Sequence, residues 1–157
     1  GLVDIGGNTV DMFVGERLKP ANNSQIQLSA GVSDAFKSIN NDAYILIEQA
    51  FLEGRNEFTY GGKTYKNIKK ECESEFNRLA EDVYMNIRDQ WNRQIDRIEV
   101  FILIGGGAKA IGEYLEDMIV DRLDKDVIVV DEPLFANALG YYKMGIYQKE
   151  REKTDAS

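Results

Sequence analysis

Two glycine-rich segments, each directly after an apolar run, are the parts of this sequence best suited to bind a ligand. They are residues 6–9 (GGNT) and residues 105–108 (GGGA). Glycine lets the backbone approach a ligand closely and leaves N–H groups exposed, and a turn that opens a helix adds a dipole that favours a phosphate. The pattern indicates anion binding, although a plain tight turn explains either segment taken alone. At Gly106 we expect a positive φ or a close approach that excludes any side chain.

Two aspartates flank the first of these segments. Asp4 ends a mainly apolar run, where a carboxylate is costly to desolvate unless a charged or hydrogen-bonding group meets it. A hydrated Mg²⁺ would be such a group, so we expect Asp4 to act near a metal, through water. Asp11 fits a structural turn residue as well as it fits a ligand-binding one.

The composition excludes several other kinds of site. The chain has 157 residues, no His and one Cys, Cys72, which excludes His-based triads, His-ligated zinc, Cys-cluster metal sites and disulfide frameworks. A formal net charge of −8 argues against non-specific electrostatic binding to nucleic acid or anionic lipid. No apolar run approaches the roughly 20 residues of a membrane span. We expect a water-soluble, cytoplasmic protein and, since the chain opens without Met, a segment of a longer one.

The sequence pattern around these residues predicts three strands at the start of the chain. Residues 2–14 predict a hairpin whose turn, at the first glycine-rich segment, contains residue types that accept positive φ. Residues 16–24 are typical of a loop, and the alternation over 25–29 predicts an edge strand. Helical spacing follows over 32–51, where one helix, or two broken near Asn40, fit equally well.

The rest of the chain alternates between strand-like and helix-like patterns. The clearest helix carries one continuous apolar stripe with charges on its other face. In chain order we predict a small hairpin over 58–65, a long helix over 68–91, a buried strand over 98–104, a helix over 108–123, a buried strand over 127–130 and a last helix over 134–147.

Three meander strands followed by right-handed strand–helix–strand crossovers predict an α/β fold with a mixed five-stranded sheet flanked by helices. This is the ribonuclease-H-like topology. We assign residues 1–55 and 96–150 to the main, ligand-binding subdomain and residues 56–95, with the long helix, to a small inserted subdomain. Residues 151–157 are expected to form a disordered tail.

These segments carry a family resemblance. Residues 3–11 (VDIGGNTVD) resemble the second phosphate loop of the actin, Hsp70 and sugar-kinase superfamily, and residues 102–108 (ILIGGGA) resemble its adenosine loop. Residues 130–142 (VDEPLFANALGYY) are most similar to the bacterial actin-like proteins of the plasmid-segregation (ParM) type. The full actin fold has two phosphate loops of this kind and this chain has one, so the chain resembles the second, C-terminal half of an actin-like ATPase.

The resemblance implies that the chain binds ATP or ADP with Mg²⁺. It makes Asp4 the catalytic residue, acting through magnesium-bound and attacking water. The loop amides after Asp4 would hold the β- and γ-phosphates, the second glycine-rich segment would run past ribose and α-phosphate, and a Lys/Glu group on the long helix would lie near ribose and base. The implied nucleotide-binding residues are Gly6, Gly7, Asn8, Thr9, Asp11, Gly31, Lys69, Lys70, Glu71, Gly105, Gly106, Gly107 and Ala108.

The function that follows from the resemblance is the nucleotide-binding half of an ATPase that forms ATP-dependent filaments for plasmid segregation. DNA contact would be indirect, through an adaptor, and no membrane would be involved. With one face of the cleft, this segment is not expected to hydrolyse ATP by itself. One alternative is the nucleotide-binding half of a sugar kinase or an Hsp70-type ATPase. Another is a metal-dependent nuclease using Asp4 and Asp11, which would leave the second glycine-rich segment without a role.

Overall fold

A computed structural model of the chain describes residues 1–16 and 19–130, together with Ala136, Gly140 and Lys143. The first half contains five short strands and two helices. The strands are β1 (Leu2–Ile5), β2 (Val10–Phe13), β3 (Gly15–Glu16), β4 (Lys19–Pro20) and β5 (Ile26–Leu28), and the helices are α1 (Ser33–Ile39) and α2 (Tyr44–Leu52).

The second half begins with a hairpin and a long helix and continues with a strand, a helix and a strand. A short 3₁₀ turn, Ile95–Arg97, precedes the strand. The elements are β6 (Glu57–Tyr60), β7 (Lys63–Lys66), α3 (Ile68–Gln90), β8 (Val100–Ile104), α4 (Ala108–Leu123) and β9 (Asp126–Val129).

Five of the strands form one mixed sheet in the order β5-β2-β1-β8-β9. The pairs β5–β2 and β2–β1 are antiparallel, whereas β1–β8 and β8–β9 are parallel. Alternate residues of the central strands, including Val3, Ile5 and Leu103, are fully buried, as expected where helices cover one face of a sheet. The predicted mixed five-stranded α/β fold, with residues 25–29 at a sheet edge, is confirmed.

The helical region after Gly31 forms two helices, α1 and α2, which settles the alternative that the sequence left open. Asn40 interrupts it with extended backbone, φ −161° and ψ 109°. Its side-chain oxygen accepts hydrogen bonds from the N–H groups of Asp42 and Ala43 at 3.0 and 3.2 Å. An Asn side chain that binds the backbone in this way competes with helix propagation and starts a new helix instead.

Two predictions about the strands were wrong. Residues 127–130 were expected to form a buried strand, but β9 lies at an edge of the sheet, and Ile128 is 52% exposed. Residues 16–24 were expected to be a loop, yet β3 and β4 form a short antiparallel ladder there. A two-residue ladder is too short to leave an alternating pattern in the sequence.

The long helix α3 packs its apolar stripe onto the main core. Its buried residues, among them Cys72, Phe76 and Ile87, belong to the same hydrophobic cluster as Val3 of β1. The hairpin β6–β7, by contrast, forms a two-stranded sheet of its own. The division of the chain into a main and an inserted subdomain stays a proposal. Within the proposed insert, the hairpin is more separate from the main core than α3 is.

The predicted last helix and tail fall outside the described residues, except for Ala136, Gly140 and Lys143. In the part of the chain that the structure describes, no helix is both long enough and apolar enough to cross a membrane.

Candidate functional site

The first glycine-rich turn connects β1 to β2 and is closed by a hydrogen bond from Gly6 N to Thr9 O at 2.8 Å. Gly7 and Asn8 form its tip. The residue types of this turn accept a positive φ but none of them adopts one, since the left-handed residues of the described chain lie outside this turn. Glycine is required for a steric reason instead, because a Cβ on Gly6 would lie 2.9 Å from Thr9 O.

The second turn follows β8 and lies against the end of β1. Gly105 has a φ of 88°, and a Cβ there would lie 2.4 Å from Ile5 O and 2.5 Å from a carboxylate oxygen of Asp4. Gly107 N donates to Ile5 O at 2.8 Å. The left-handed glycine is thus Gly105. Of the two alternatives expected at Gly106, the positive φ does not occur there, and the close approach stays a prediction.

Gly31, just before α1, packs directly on the tip of the first turn. A Cβ on Gly31 would lie 2.2 Å from Gly7 O and 2.6 Å from Asn8 N. Two amides that follow Gly31 donate to the same turn, Val32 N to Gly6 O at 3.3 Å and Ser33 N to Gly7 O at 2.8 Å. The first turn is therefore held between α1 and the second turn, and the two glycine-rich segments lie side by side at the ends of adjacent parallel strands.

The hydrogen bonds of the two turns distinguish amides that donate to the backbone of the described residues from amides that do not. Gly6 N, Gly107 N and Ala108 N all donate to carbonyl oxygens of the chain. Among the described residues, the amides of Gly7, Asn8 and Gly106 make no such bond. The same holds for the amides of Thr9 and Gly105. Parts of both segments therefore have amides that no backbone carbonyl of the described residues accepts from, and phosphate binding by them stays a prediction.

The two aspartates occupy facing positions on neighbouring strands but have different surroundings. Asp4 and Asp11 are cross-strand partners of β1 and β2. Asp11 accepts hydrogen bonds from Thr9 Oγ1 at 3.2 Å and from Gln27 Nε2 at 2.7 Å, so its carboxylate is committed to holding the meander together. Asp4 is half-buried and adjoins Gly105. The structure brings Asp4 to the second glycine-rich turn and joins Asp11 to Thr9 and Gln27. Ligand binding by either aspartate stays a prediction.

The described residues contain no group of three or more His, Cys, Asp or Glu side chains arranged to hold a metal ion. A Mg²⁺ ion that accompanies a nucleotide keeps several waters and needs only one or two carboxylates besides the phosphates. Asp4, a carboxylate beside the second glycine-rich turn, fits that mode of binding.

A groove of about 410 Å³ lies where α2 ends and α3 and α4 begin. Three cations and an amide line it together with apolar groups, so it suits an anionic ligand with an apolar or aromatic part. Its lining residues are Phe51, Leu52, Gly54, Arg55, Asn56, Lys69 and Lys109.

The sequence predicted a Lys/Glu group on the long helix. Lys69 of this group lines the groove, whereas Lys70 and Glu71 do not. Lys69 also lies 3.8 Å from Glu113 in an exposed ion pair. Arg55 and Lys109 were missed by the sequence analysis. Lys109 directly follows the second glycine-rich segment in the sequence, and this position could have indicated it. Arg55 reaches the groove only through the packing of α2.

Comparison with known proteins shows a family and a fold for this chain. Residues 2–117 match the model of the family described as "Archaeal actin homologue MreB-like, C-terminal". An archaeal actin homolog of Thermoplasma acidophilum is 25% identical over 154 residues, which cover 89% of this chain and 44% of that protein.

Solved structures show the same fold. The crystal structure of an archaeal actin homolog in complex with ADP has a TM-score of 0.76 at 22% identity and covers 93% of this chain and 49% of its own. A 15-stranded ParM filament from Clostridium botulinum has a TM-score of 0.66 at 18% identity and covers 94% of this chain and 45% of its own. The chain thus spans about half the length of the relatives it matches.

Proposed function

Because the chain belongs to the MreB-like family of archaeal actin homologues, as its C-terminal domain, we propose that it is the nucleotide-binding half of an actin-like ATPase. The observation that carries this proposal is the pair of glycine-rich turns side by side at the ends of β1 and β8, with Asp4 between them. One relative with this fold was crystallised with ADP, which supports a nucleotide as the ligand.

In this proposal, amides of the two turns that have no backbone partner among the described residues bind phosphate. Gly7 and Asn8 contact the β- and γ-phosphates. Gly106 contacts the α-phosphate. It lies two residues before α4 begins at Ala108, so the helix dipole adds to the attraction. Gly31, Gly6, Thr9, Gly105, Gly107 and Ala108 contribute by shaping the turns.

The groove beside the second turn is proposed to hold the base and ribose. Phe51 and Leu52 supply apolar surface, while Lys69, Lys109 and Asn56 supply donors to ring nitrogens, hydroxyls or the nearest phosphate. Lys70 and Glu71 are left as flanking residues of this subsite. Selectivity for the base would arise here, since the phosphate-binding turns do not read it.

Magnesium bound with the nucleotide would neutralise the phosphate charge and polarise the transferred group. Asp4 is proposed to orient a water of that ion and the attacking water, because it lies two residues before the first turn and its carboxylate adjoins Gly105 of the second. Asp11 contributes indirectly, by fixing Thr9 and β2.

The cellular role proposed for the longer protein is a filament that forms with ATP bound and weakens on hydrolysis. A filament among the relatives with this fold supports self-association. For the finer role we propose plasmid segregation in the cytoplasm, with DNA bound through an adaptor and no membrane involved, since a net charge of −8 gives the chain no general attraction for phosphate backbones. Polymerisation by the longer protein on addition of ATP, measured by sedimentation, tests this role, and a protein that stays monomeric with ATP contradicts it.

The nucleotide site itself is tested by titrating ¹⁵N-labelled chain with MgADP and following the amide resonances. We expect shifts at Gly7, Asn8 and Gly106, with weak, millimolar-range affinity because half a cleft is present. The exposed hairpin glycines, Gly61 and Gly62, serve as internal controls that should not move. Absence of shifts at the turns in millimolar MgADP would refute the site, and micromolar or tighter binding with turnover would refute the half-cleft interpretation.

A further inference from the structure

Ser33, the first residue of α1, is buried directly behind the tip of the first turn. It is 2% exposed, and its backbone N–H donates to Gly7 O at 2.8 Å. Its hydroxyl oxygen lies 2.7 Å from the position that a Cβ on Gly7 would occupy. The side of Gly7 that faces the protein is therefore filled by this hydroxyl, whose orientation bears directly on the turn.

Glu48 of α2 meets the same hydroxyl. A carboxylate oxygen of Glu48 lies 3.9 Å from the same Cβ position of Gly7, so the carboxylate and the Ser33 hydroxyl are neighbours, and this hydroxyl is the hydrogen-bonding group that acts on the pKa of Glu48. Burial raises the pKa of Glu48, and the bond to the Ser33 hydroxyl lowers it. Glu48 is the acidic residue in an otherwise mostly apolar stretch, residues 44–52.

A half-buried carboxylate at this place is unfavourable for folding alone. Within the described part of the chain, no salt bridge includes Glu48, so no cation offsets the cost of removing it from water. An apolar side chain would match the surrounding residues better. The contact with Ser33 and Gly7 offers a reason for a carboxylate here.

We infer that Glu48 is a positioning residue for the first turn: it accepts the Ser33 hydroxyl hydrogen bond and so fixes that hydroxyl against Gly7, which orients the amides of Gly7 and Asn8 for a phosphate. The inference rests on the proposed nucleotide site for its functional consequence. It assigns Glu48 no contact with the nucleotide, and it adds α2 to the elements that hold the turn.

The side-chain amide of Gln can accept the same hydroxyl hydrogen bond without the charge, whereas Ala cannot. Glu48→Gln should therefore keep MgADP affinity at or above the wild-type value, while Glu48→Ala and Ser33→Ala should each lower it about tenfold, the effect of one lost hydrogen bond. The double variant Ser33→Ala/Glu48→Ala should lose little more than either single variant, because both remove one interaction. Glu99→Ala, an exposed position outside the turns and the groove, is the control.

The second measurement needs no nucleotide. In the ligand-free chain, Glu48→Ala should shift the amide resonances of Gly7 and Asn8 and speed their hydrogen exchange, and Glu48→Gln should restore both. If Glu48→Ala leaves these amides unchanged, or if Glu48→Gln disturbs them as much as Glu48→Ala does, the inference is wrong. If the turn responds as expected but MgADP shifts no amide in any variant, the proposed nucleotide site fails while the positioning of the turn by Glu48 stands.

Discussion

Replacing Gly31 with Ala should destabilise the protein by displacing the first turn. The added Cβ would lie 2.2 Å from Gly7 O and 2.6 Å from Asn8 N, whereas real Cβ contacts are 3.0 Å or longer. The turn must move by about 0.8 Å, because backbone atoms cannot yield as the end of a flexible side chain can. This shift lengthens the 2.8 Å bond from Ser33 N to Gly7 O beyond hydrogen-bonding range. With the neighbouring bond from Val32 N, the expected loss is about 1–3 kcal/mol of unfolding free energy.

Urea denaturation followed by far-UV circular dichroism measures this loss, and thermal melts should show a fall of about 2–4 °C per kcal/mol for a chain of this size. Gly54→Ala is the matched control. Gly54 has a φ of 73° and nothing within 4 Å of an added Cβ, so its replacement costs only backbone strain, about 1 kcal/mol. Gly31 has no such strain to contribute, and its effect is steric. If Gly31→Ala unfolds at the same urea concentration as wild type, or leaves the Gly7 and Asn8 amide resonances in place, the close packing of Gly31 on the turn is refuted.

Three further predictions concern other parts of the chain. Cys72 is fully buried, and burial raises its pKa to about 12. Its thiol should therefore resist iodoacetamide at pH 8 in the native protein and react in urea. Fast labelling of the native protein would contradict its burial. Trp91→Phe removes the hydrogen bond from Nε1 to Ser24 O at 2.8 Å and should cost about 1–3 kcal/mol in urea denaturation, since a buried carbonyl is left unpaired; an unchanged midpoint would argue against that bond. In the longer protein, Asp4→Asn should slow ATP hydrolysis roughly a hundredfold or more, with much less effect on nucleotide affinity, and an unchanged steady-state rate would make Asp4 structural.

The elements around the site were predictable because their signals are local. The alternation over residues 25–29 gave an edge strand, and β5 lies at the sheet edge. Gly61 and Gly62 between two β-rich runs gave a hairpin, and both have positive φ, as a two-residue hairpin turn requires. The stripe of α3 gave a helix that begins at Ile68, as predicted. The resemblance to the C-terminal half of actin-like proteins, read from the two glycine-rich segments, is confirmed by the family match.

The remaining features depend on contacts between residues distant in the chain. The apolar residues 127–130 predict a buried strand, but burial depends on whether another strand or helix covers them. Ile128 and Val129 of β9 lie at an edge of the sheet and are exposed. Three consecutive glycines do not show which one is left-handed; the close approach of Ile5 decides that it is Gly105. Arg55 and Glu48 reach the site through the packing of α2, which no spacing in the sequence encodes.

The contacts of the glycines separate what the fold requires from what a ligand requires. Gly31, Gly105 and Gly107 are constrained by atoms of the chain itself, namely the backbone of the first turn and Ile5, so their replacement would lower stability whether or not a nucleotide binds. Gly7 is also confined, by the Ser33 hydroxyl, but its amide and those of Asn8 and Gly106 donate to no backbone carbonyl of the described residues. A loss of stability therefore cannot by itself demonstrate a phosphate site. Only a response to nucleotide at the amides that the fold leaves unused distinguishes a binding turn from a tightly packed one.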